Sequence, residues 1–150
     1  MEAPTEAAAM SLRVAFASSD RVFVDQHFGA ASAFAIHSVD ADASALVEVA
    51  EFIETAMDGH EGKLAAKIEL LAGCAAVYCQ AVGASAVQQL LAKGIQPIKV
   101  PDGTTIDALI GVLRQELRAG PSGWLAKALA RGRPRGEDRF AAMDEEGWQE

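Results

Sequence analysis

The residue of this chain that most suggests chemistry is a histidine in a predicted turn. The stretch VFVDQHFG, residues 22–29, places His27 between an apolar run that ends at Asp25 and the large side chain of Phe28. A neutral imidazole offers one nitrogen lone pair to a borderline metal, and histidine is the commonest metal ligand among side chains. His27 is therefore a candidate ligand, although the residues alone also allow a partly buried histidine bonded to the backbone.

A second candidate site follows the apolar run AAVYC, which ends at Cys79 and is typical of a buried parallel strand. The loop 80–85 then opens a predicted helix. Open α/β sheets bind ligands at this edge, where helix N-termini present free N–H groups and positive partial charge. We therefore expect Gln80, Gly83 and Ser85 to contact an anion. The chain lacks the phosphate-loop and dinucleotide motifs, so a nucleotide is not favoured.

The two cysteines are too few for a disulfide framework. Cys74 and Cys79 are five positions apart. If both belong to one strand, this odd spacing puts the side chains on opposite faces, about 16 Å apart at ~3.3 Å per residue. We expect them neither to bridge each other nor to chelate one ion, and to remain thiols in a reducing compartment. For Cys79, a buried and inert thiol is the alternative to a ligand.

Three acids, Asp20, Asp25 and Asp58, could indicate phosphodiester chemistry with two divalent ions. All three lie where turns and caps favour aspartate, and His37 and His60 are interpreted as packing and capping residues. The chain contains no nucleophile elbow, C-x-x-C pair or H-E-x-x-H helix. A binding protein is therefore favoured, with a metal-dependent nuclease as the alternative from another class.

The length and charge of the chain restrict its class. A length of 150 residues predicts one domain, and the net charge of -8 argues against broad nucleic-acid binding. No apolar run approaches the roughly 20 residues that cross a bilayer, and no secretory signal is recognisable, so we expect a cytoplasmic protein. The Arg-rich segment RGRPRGEDR, residues 131–139, is the local exception that could attract an anion.

The elements that must position these residues follow from periodicity. LRVAFAS, SAFAIHSVD and ALVEVAEFI alternate like strands, with RVFVD as a short extended piece between the first two. HEGKLAAKIELLAG then has a helical apolar stripe, and AAVYC, GASAVQQLLAKG, QPIKV and TTIDALIGVLRQELRAG continue as strand, helix, strand and helix. This order predicts an α/β protein with a mixed sheet and helices packed on it.

Three regions are predicted from these patterns. Residues 1–11 form a flexible leader, residues 12–120 form the α/β domain, and residues 121–150 form a helical and charged tail. The tail contains Trp124 and two further large aromatic residues, Phe140 and Trp148. Such residues either pack on the core or contact a partner, since disordered tails rarely carry them.

Together, these stretches resemble the nitrogenase iron-molybdenum cofactor biosynthesis family. The most specific parts are the D-x-H-F-G turn at residues 25–29 and the C-x-A-V-G-x-x-A loop that begins at Cys79, and the similarity runs from about Leu12 to Trp148. The resemblance implies a single domain with a five-stranded mixed sheet of ribonuclease H-like topology. It also places the family's ligand-bearing histidine at His27 and its loop cysteine at Cys79.

The function implied by the resemblance is that of a non-catalytic carrier for the iron-molybdenum cofactor or its iron-sulfur precursor. Its implied partners are the radical-SAM enzyme that builds the cluster, the scaffold complex and apo-dinitrogenase, with no nucleic acid and no membrane. A homodimer that shares the cluster is left open. The alternatives are the nuclease and a cluster-free regulatory module whose aromatic tail, residues 124–148, docks on assembly proteins.

Overall fold

The structure is a computed structural model of the 150-residue chain, and it describes residues 11–52, 60–121 and 123–132. The elements, in chain order, are β1 (Leu12–Ala17), a 3₁₀ turn (Phe28–Ala30), β2 (Ala33–Val39), β3 (Ser44–Glu51), α1 (His60–Glu69), β4 (Ala76–Cys79), α2 (Ala84–Ala92), β5 (Gln96–Lys99), α3 (Ile106–Ala119) and α4 (Gly123–Gly132).

The five strands form one mixed sheet in the order β3-β2-β1-β4-β5. β2 is antiparallel to both β1 and β3, whereas β4 is parallel to both β1 and β5. This confirms the α/β class and the five-stranded mixed sheet, while the ribonuclease H-like label stays a prediction. Because β1, β4 and β5 run in one direction, the loops that follow them meet at the same edge of the sheet.

Helices cover both faces of the sheet, so the central strand is apolar on both sides. Along β1, Val14 and Phe16 face the cluster that contains α3 and α4, whereas Ala15 and Ala17 face the cluster that contains α1 and α2. Phe28 belongs to the second cluster and is fully buried. Burying one such large apolar side chain contributes about 1.5–3 kcal/mol, so the loop that carries Phe28 is firmly attached to the core.

The helix α3 illustrates how local sequence sets an element's bounds. The Thr105 side chain accepts a hydrogen bond from the N–H of Ala108 at 3.1 Å, so that Thr105 is the N-cap of the helix. Gly120 ends the helix at φ 115°, a conformation that favours glycine. The buried stripe of α3 consists of Ile106, Ile110, Leu113 and Leu117.

The last described helix, α4, packs against the same core. Leu125, Ala128 and Leu129 are buried there, and the partly buried Trp124 packs against this cluster. Of the two possibilities for the aromatic residues of the tail, Trp124 shows packing on the core. Phe140, Trp148 and the side chains of the Arg-rich segment lie outside the described residues, as does nearly all of the leader. The predicted region boundaries stay predictions. No helix in the described part of the chain is long and apolar enough to cross a membrane.

The RVFVD stretch, expected as a short extended piece, contains one isolated bridge, between Phe23 and Thr105. The expectation for the two cysteines is wrong. Cys74 and Cys79 lie in the same core cluster and not on opposite faces of the sheet. The prediction from the odd spacing fails because β4 begins only at Ala76, so that Cys74 lies outside the strand. The alternation of side chains between two faces applies only within a strand.

A half-buried histidine lies on the opposite side of the sheet from Phe28. His37 packs edge-on against Phe16, with 5.4 Å between the ring centroids. Its Nδ1 is buried and has no hydrogen-bond partner among the described residues. Burial lowers the pKa of His37, and the carboxylate of Asp107 opposes this shift in part. His37 is therefore a packing residue, as its place in a strand predicts.

Acidification is expected to destabilise the protein through His37. Because the folded protein holds the pKa of His37 below its ordinary value of 6.5, the unfolded chain takes up this proton first as the pH falls. The free energy of unfolding should therefore decrease below about pH 6.5, and less so in His37→Phe, which keeps the ring contact. Urea unfolding at about pH 7.5 and about pH 5.5 measures both slopes. Equal pH dependence in the two proteins would contradict this role.

Candidate functional site

The loop after β1 begins with a tight turn built on two carboxylates. Oδ1 of Asp20 accepts hydrogen bonds from the N–H groups of Val22 at 2.8 Å and Phe23 at 2.9 Å. These bonds, led by the one from Phe23, lower the pKa of Asp20. Asp25 accepts bonds from both the N–H and the hydroxyl of Ser19, at 2.9 and 2.5 Å. Both acids therefore shape the loop, as turn residues do.

The same loop is then bonded to the loop after β4. The N–H of Phe28 donates to the carbonyl of Ala81 at 2.8 Å, and the N–H of Gln80 donates to the carbonyl of Gln26 at 2.9 Å. On the core side, the Phe28 ring lies 5.6 Å from the ring of Phe34. The residue between Gln26 and Phe28 is thus held directly opposite the second loop.

These contacts leave His27 exposed at an open groove of about 410 Å³. Its lining residues are His27, Gly29, Ala30, Ala81, Val82 and Gly83. Gly83 is also the N-cap of α2, and the first turn of this fully described helix contains no acidic residue. The groove therefore combines one imidazole with the electropositive end of a helix.

The other residues predicted for the loop have different positions. The side-chain amide of Gln80 donates to the carbonyl of Val24 at 3.2 Å and to Oδ1 of Asp102 at 2.9 Å. It therefore braces the loops after β1, β4 and β5 against one another. Ser85 is exposed on the first turn of α2 and accepts a bond from Gln89 at 3.2 Å. The groove thus brings His27 and Gly83 together, with Gln80 behind it and Ser85 beside it.

Cys79 lies beneath this loop and not in the groove. Its side chain is 0% exposed within the core cluster. Burial raises the pKa of Cys79 to about 11, so the residue is a neutral thiol near pH 7, whereas metals bind the thiolate. Burial likewise raises the pKa of Cys74 to about 11. The predicted contact of Cys79 with a cluster stays a prediction, and it requires the end of β4 to open.

The described residues do not contain a ligand set for a multi-ligand metal site. In residues 11–52, 60–121 and 123–132, no group of three His, Cys, Asp or Glu side chains is placed to hold an ion. Asp58 and the side chain of His60 are outside the described part. Asp20 and Asp25 are occupied by the turn. Of the candidate ligand side chains, the described lining of the groove contains the imidazole of His27.

Sequence reasoning missed Lys67, which contacts the turn from the other side. Its Nζ donates to the carbonyl of Gly29 at 2.8 Å and to that of Phe28 at 3.3 Å. A signal was available, because Lys67 stands between Leu64 and Ile68 on the apolar stripe of α1. A lysine in a buried stripe is unusual unless it is paired.

Comparison with known proteins identifies the family. The family described as "Dinitrogenase iron-molybdenum cofactor" matches residues 10–116. Protein NifX of Azotobacter vinelandii is 59% identical over 139 residues, which cover 93% of this chain and 88% of the relative. Protein NifX of Klebsiella pneumoniae is 37% identical over 141 residues, covering 92% and 85%.

Among solved structures, one similar chain is a Methanocaldococcus jannaschii protein described as a dinitrogenase. It superposes with a TM-score of 0.49 at 17% identity and covers 71% of this chain and 91% of that one. The family match covers most of the α/β domain and includes both the His27 turn and the loop after β4. This chain belongs to the dinitrogenase iron-molybdenum cofactor family, and its relatives include NifX proteins.

Proposed function

We propose that this chain is a non-catalytic carrier that binds the iron-molybdenum cofactor of nitrogenase, or its iron-sulfur precursor, through His27. The observation that carries the proposal is an exposed imidazole held by backbone bonds at a groove of about 410 Å³. Membership of the dinitrogenase iron-molybdenum cofactor family supports a role in the biosynthesis of that cofactor.

The chemistry of the groove suits an anionic metallocluster as cargo. Iron in such clusters accepts imidazole as well as thiolate ligands. The N-terminus of α2, which begins at Gly83, adds positive partial charge without adding another covalent ligand. A carrier must release its cargo, and a single nitrogen ligand is easier to exchange than the four thiolates of a permanent centre.

The proposed partners are the other proteins of cofactor assembly. The carrier would receive the cluster from the radical-SAM enzyme that builds it and deliver it to the scaffold complex or to apo-dinitrogenase. Because His27 is exposed, ligands of a second protein could reach the cluster from the open side of the groove. The same exposure permits two chains to share one cluster between their His27 side chains.

Neither alternative function is favoured by the described contacts. A nuclease would need Asp20 and Asp25 as metal ligands, but both accept hydrogen bonds that shape their turn. For the cluster-free interaction module, the described aromatic residue of the tail, Trp124, packs against the core. The rest of that tail is outside the described residues.

Replacing His27 is the direct test of the ligand. We expect His27→Ala to bind isolated iron-molybdenum cofactor at least about tenfold more weakly than the wild type, because even indirect partners of a metal are worth about 10–100-fold in affinity. His27→Cys should restore much of the binding, since a thiolate also coordinates iron. Anaerobic titration of each protein with the cofactor measures the affinities.

The matched control for this titration is His37→Phe, which removes the half-buried histidine on the other side of the sheet and should bind like the wild type. Unchanged affinity in His27→Ala would show that His27 is not the ligand of the cofactor. A wild-type protein that binds no cofactor, and that contains no iron when purified anaerobically from nitrogenase-producing cells, would reject the carrier function itself.

Because Gly29 lines the groove, added volume there tests whether the cargo contacts this wall. A Cβ built there meets no atom within 4 Å, and its φ is not in the left-handed region. Gly29→Ala should therefore leave the free energy of unfolding within about 0.5 kcal/mol of the wild type. Cofactor binding should weaken by about 1–3 kcal/mol, as overpacking typically does.

Gly111→Ala is the control for this substitution. Gly111 is exposed on α3, and a Cβ there also meets no atom within 4 Å. This variant should gain up to about 1 kcal/mol of helix stability and keep wild-type binding. If Gly29→Ala also binds the cofactor like the wild type, the cargo does not contact the groove wall at Gly29.

The rate of alkylation distinguishes a Cys79 that stays buried from a Cys79 that can reach a cluster. With the pKa of Cys79 raised to about 11 and its side chain inaccessible, the folded protein should react with iodoacetamide at least about a hundredfold more slowly than the urea-unfolded chain. Mass spectrometry of tryptic peptides measures the rate at each cysteine. Fast alkylation in the folded protein would show that the end of β4 opens and would favour Cys79 as a cluster contact.

A further inference from the structure

The carbonyl side of the His27 turn is bonded by a buried lysine. Lys67 is only 4% exposed, and its Nζ donates to the carbonyls of Gly29 and Phe28. The ammonium also lies 4.7 Å from the centroid of the Phe52 ring, within the range of a cation–π contact. Withdrawing an ammonium from water is costly unless such partners replace its hydration. The chain thus maintains a cation where packing alone would favour an apolar side chain.

These bonds complete the fixation of a very short turn. Within it, the N–H of Ala30 donates to the carbonyl of His27 at 3.1 Å, and the N–H of Ala31 donates to that of Phe28 at 3.3 Å. Carbonyls at the end of such a turn lack further intrahelical donors, and basic side chains commonly satisfy them. Lys67 does so here, while the N–H of Phe28 is bonded to the loop after β4. Both sides of the turn are therefore held.

We propose that Lys67 is a positioning residue for His27. By bonding the carbonyls of Phe28 and Gly29, it locks the turn whose N-cap is His27, and so orients the imidazole toward the groove. Lys67 acts through the backbone and does not touch the cargo. This inference rests on the proposed function, because it concerns how the proposed ligand is presented to a metallocluster.

The first test needs no cluster. Lys67→Met removes the ammonium and keeps an unbranched stem of similar length, and amide hydrogen exchange then reports on the turn. We expect exchange at the Phe28 and Gln80 amides to accelerate at least about tenfold, since these amides bond the two loops together. The amides of β1 should keep their wild-type rates. Unchanged exchange at Phe28 and Gln80 would overturn the proposal.

The control for loss of charge is Lys93→Met. Lys93 also contacts α1, through an exposed ion pair of 3.1 Å with Glu69, but it lies away from the turn. This variant should show wild-type exchange at Phe28 and Gln80. Equal acceleration in both variants would mean that charge near α1, and not the bonds to the turn, is responsible, which would overturn the assignment.

The second test asks whether Lys67 acts through His27. Lys67→Met should weaken binding of isolated iron-molybdenum cofactor about tenfold in the wild-type background. In the His27→Ala background it should cause no further loss, because a positioning residue has nothing left to position. Equal losses in the two backgrounds would overturn the proposal. Absence of binding by the wild type would instead reject the carrier function, while the exchange measurement still decides the role of Lys67.

A conservative variant covers the case in which Lys67→Met does not fold. Lys67→Arg keeps a cation with several donors near the two carbonyls. It should retain slow exchange at Phe28 and bind the cofactor within about threefold of the wild type. A folded Lys67→Arg protein that keeps slow exchange but loses binding would overturn the link between the locked turn and the cargo.

Discussion

Two backbone hydrogen bonds across the carboxyl edge of the sheet hold the candidate site together. They join the N–H of Phe28 to Ala81 and the N–H of Gln80 to Gln26. Such bonds form only because β1 and β4 are parallel neighbours, so that the loops leaving them emerge side by side. Each bond is worth only about 0.5–1.5 kcal/mol. Their pairing nevertheless sets which residue faces the groove, and that residue is His27.

The two residues considered as cluster ligands have opposite environments. His27 is exposed, whereas the thiol of Cys79 is buried and its pKa is raised to about 11. The groove wall is otherwise formed by small residues, including Gly29 and Gly83. In the proposed carrier function, such a site would recognise a cluster by shape and partial charge and would hold it through few bonds. Weak attachment of that sort would suit transfer between proteins.

Much of the fold could be predicted because its causes are local. Alternation along β1 and the apolar stripe of α3 each depend on residues within one element, and Thr105 caps α3. Predictions that depended on strand bounds were less secure. The opposite-face expectation for Cys74 failed because Cys74 lies before β4, which begins only at Ala76. The packing of α4 against the core depends on contacts between distant segments, which periodicity does not reveal.

The sequence by itself determined which chemistry is available, namely a turn histidine followed by Phe-Gly and a small-residue loop that opens a helix. Only the tertiary structure decided where those groups lie. It exposed His27, buried Cys79, and bonded the side-chain amide of Gln80 to Asp102. It also placed Lys67 on the turn, from 39 positions beyond Phe28. The reason is physical, since burial and hydrogen-bond partners are set by residues far apart in the chain.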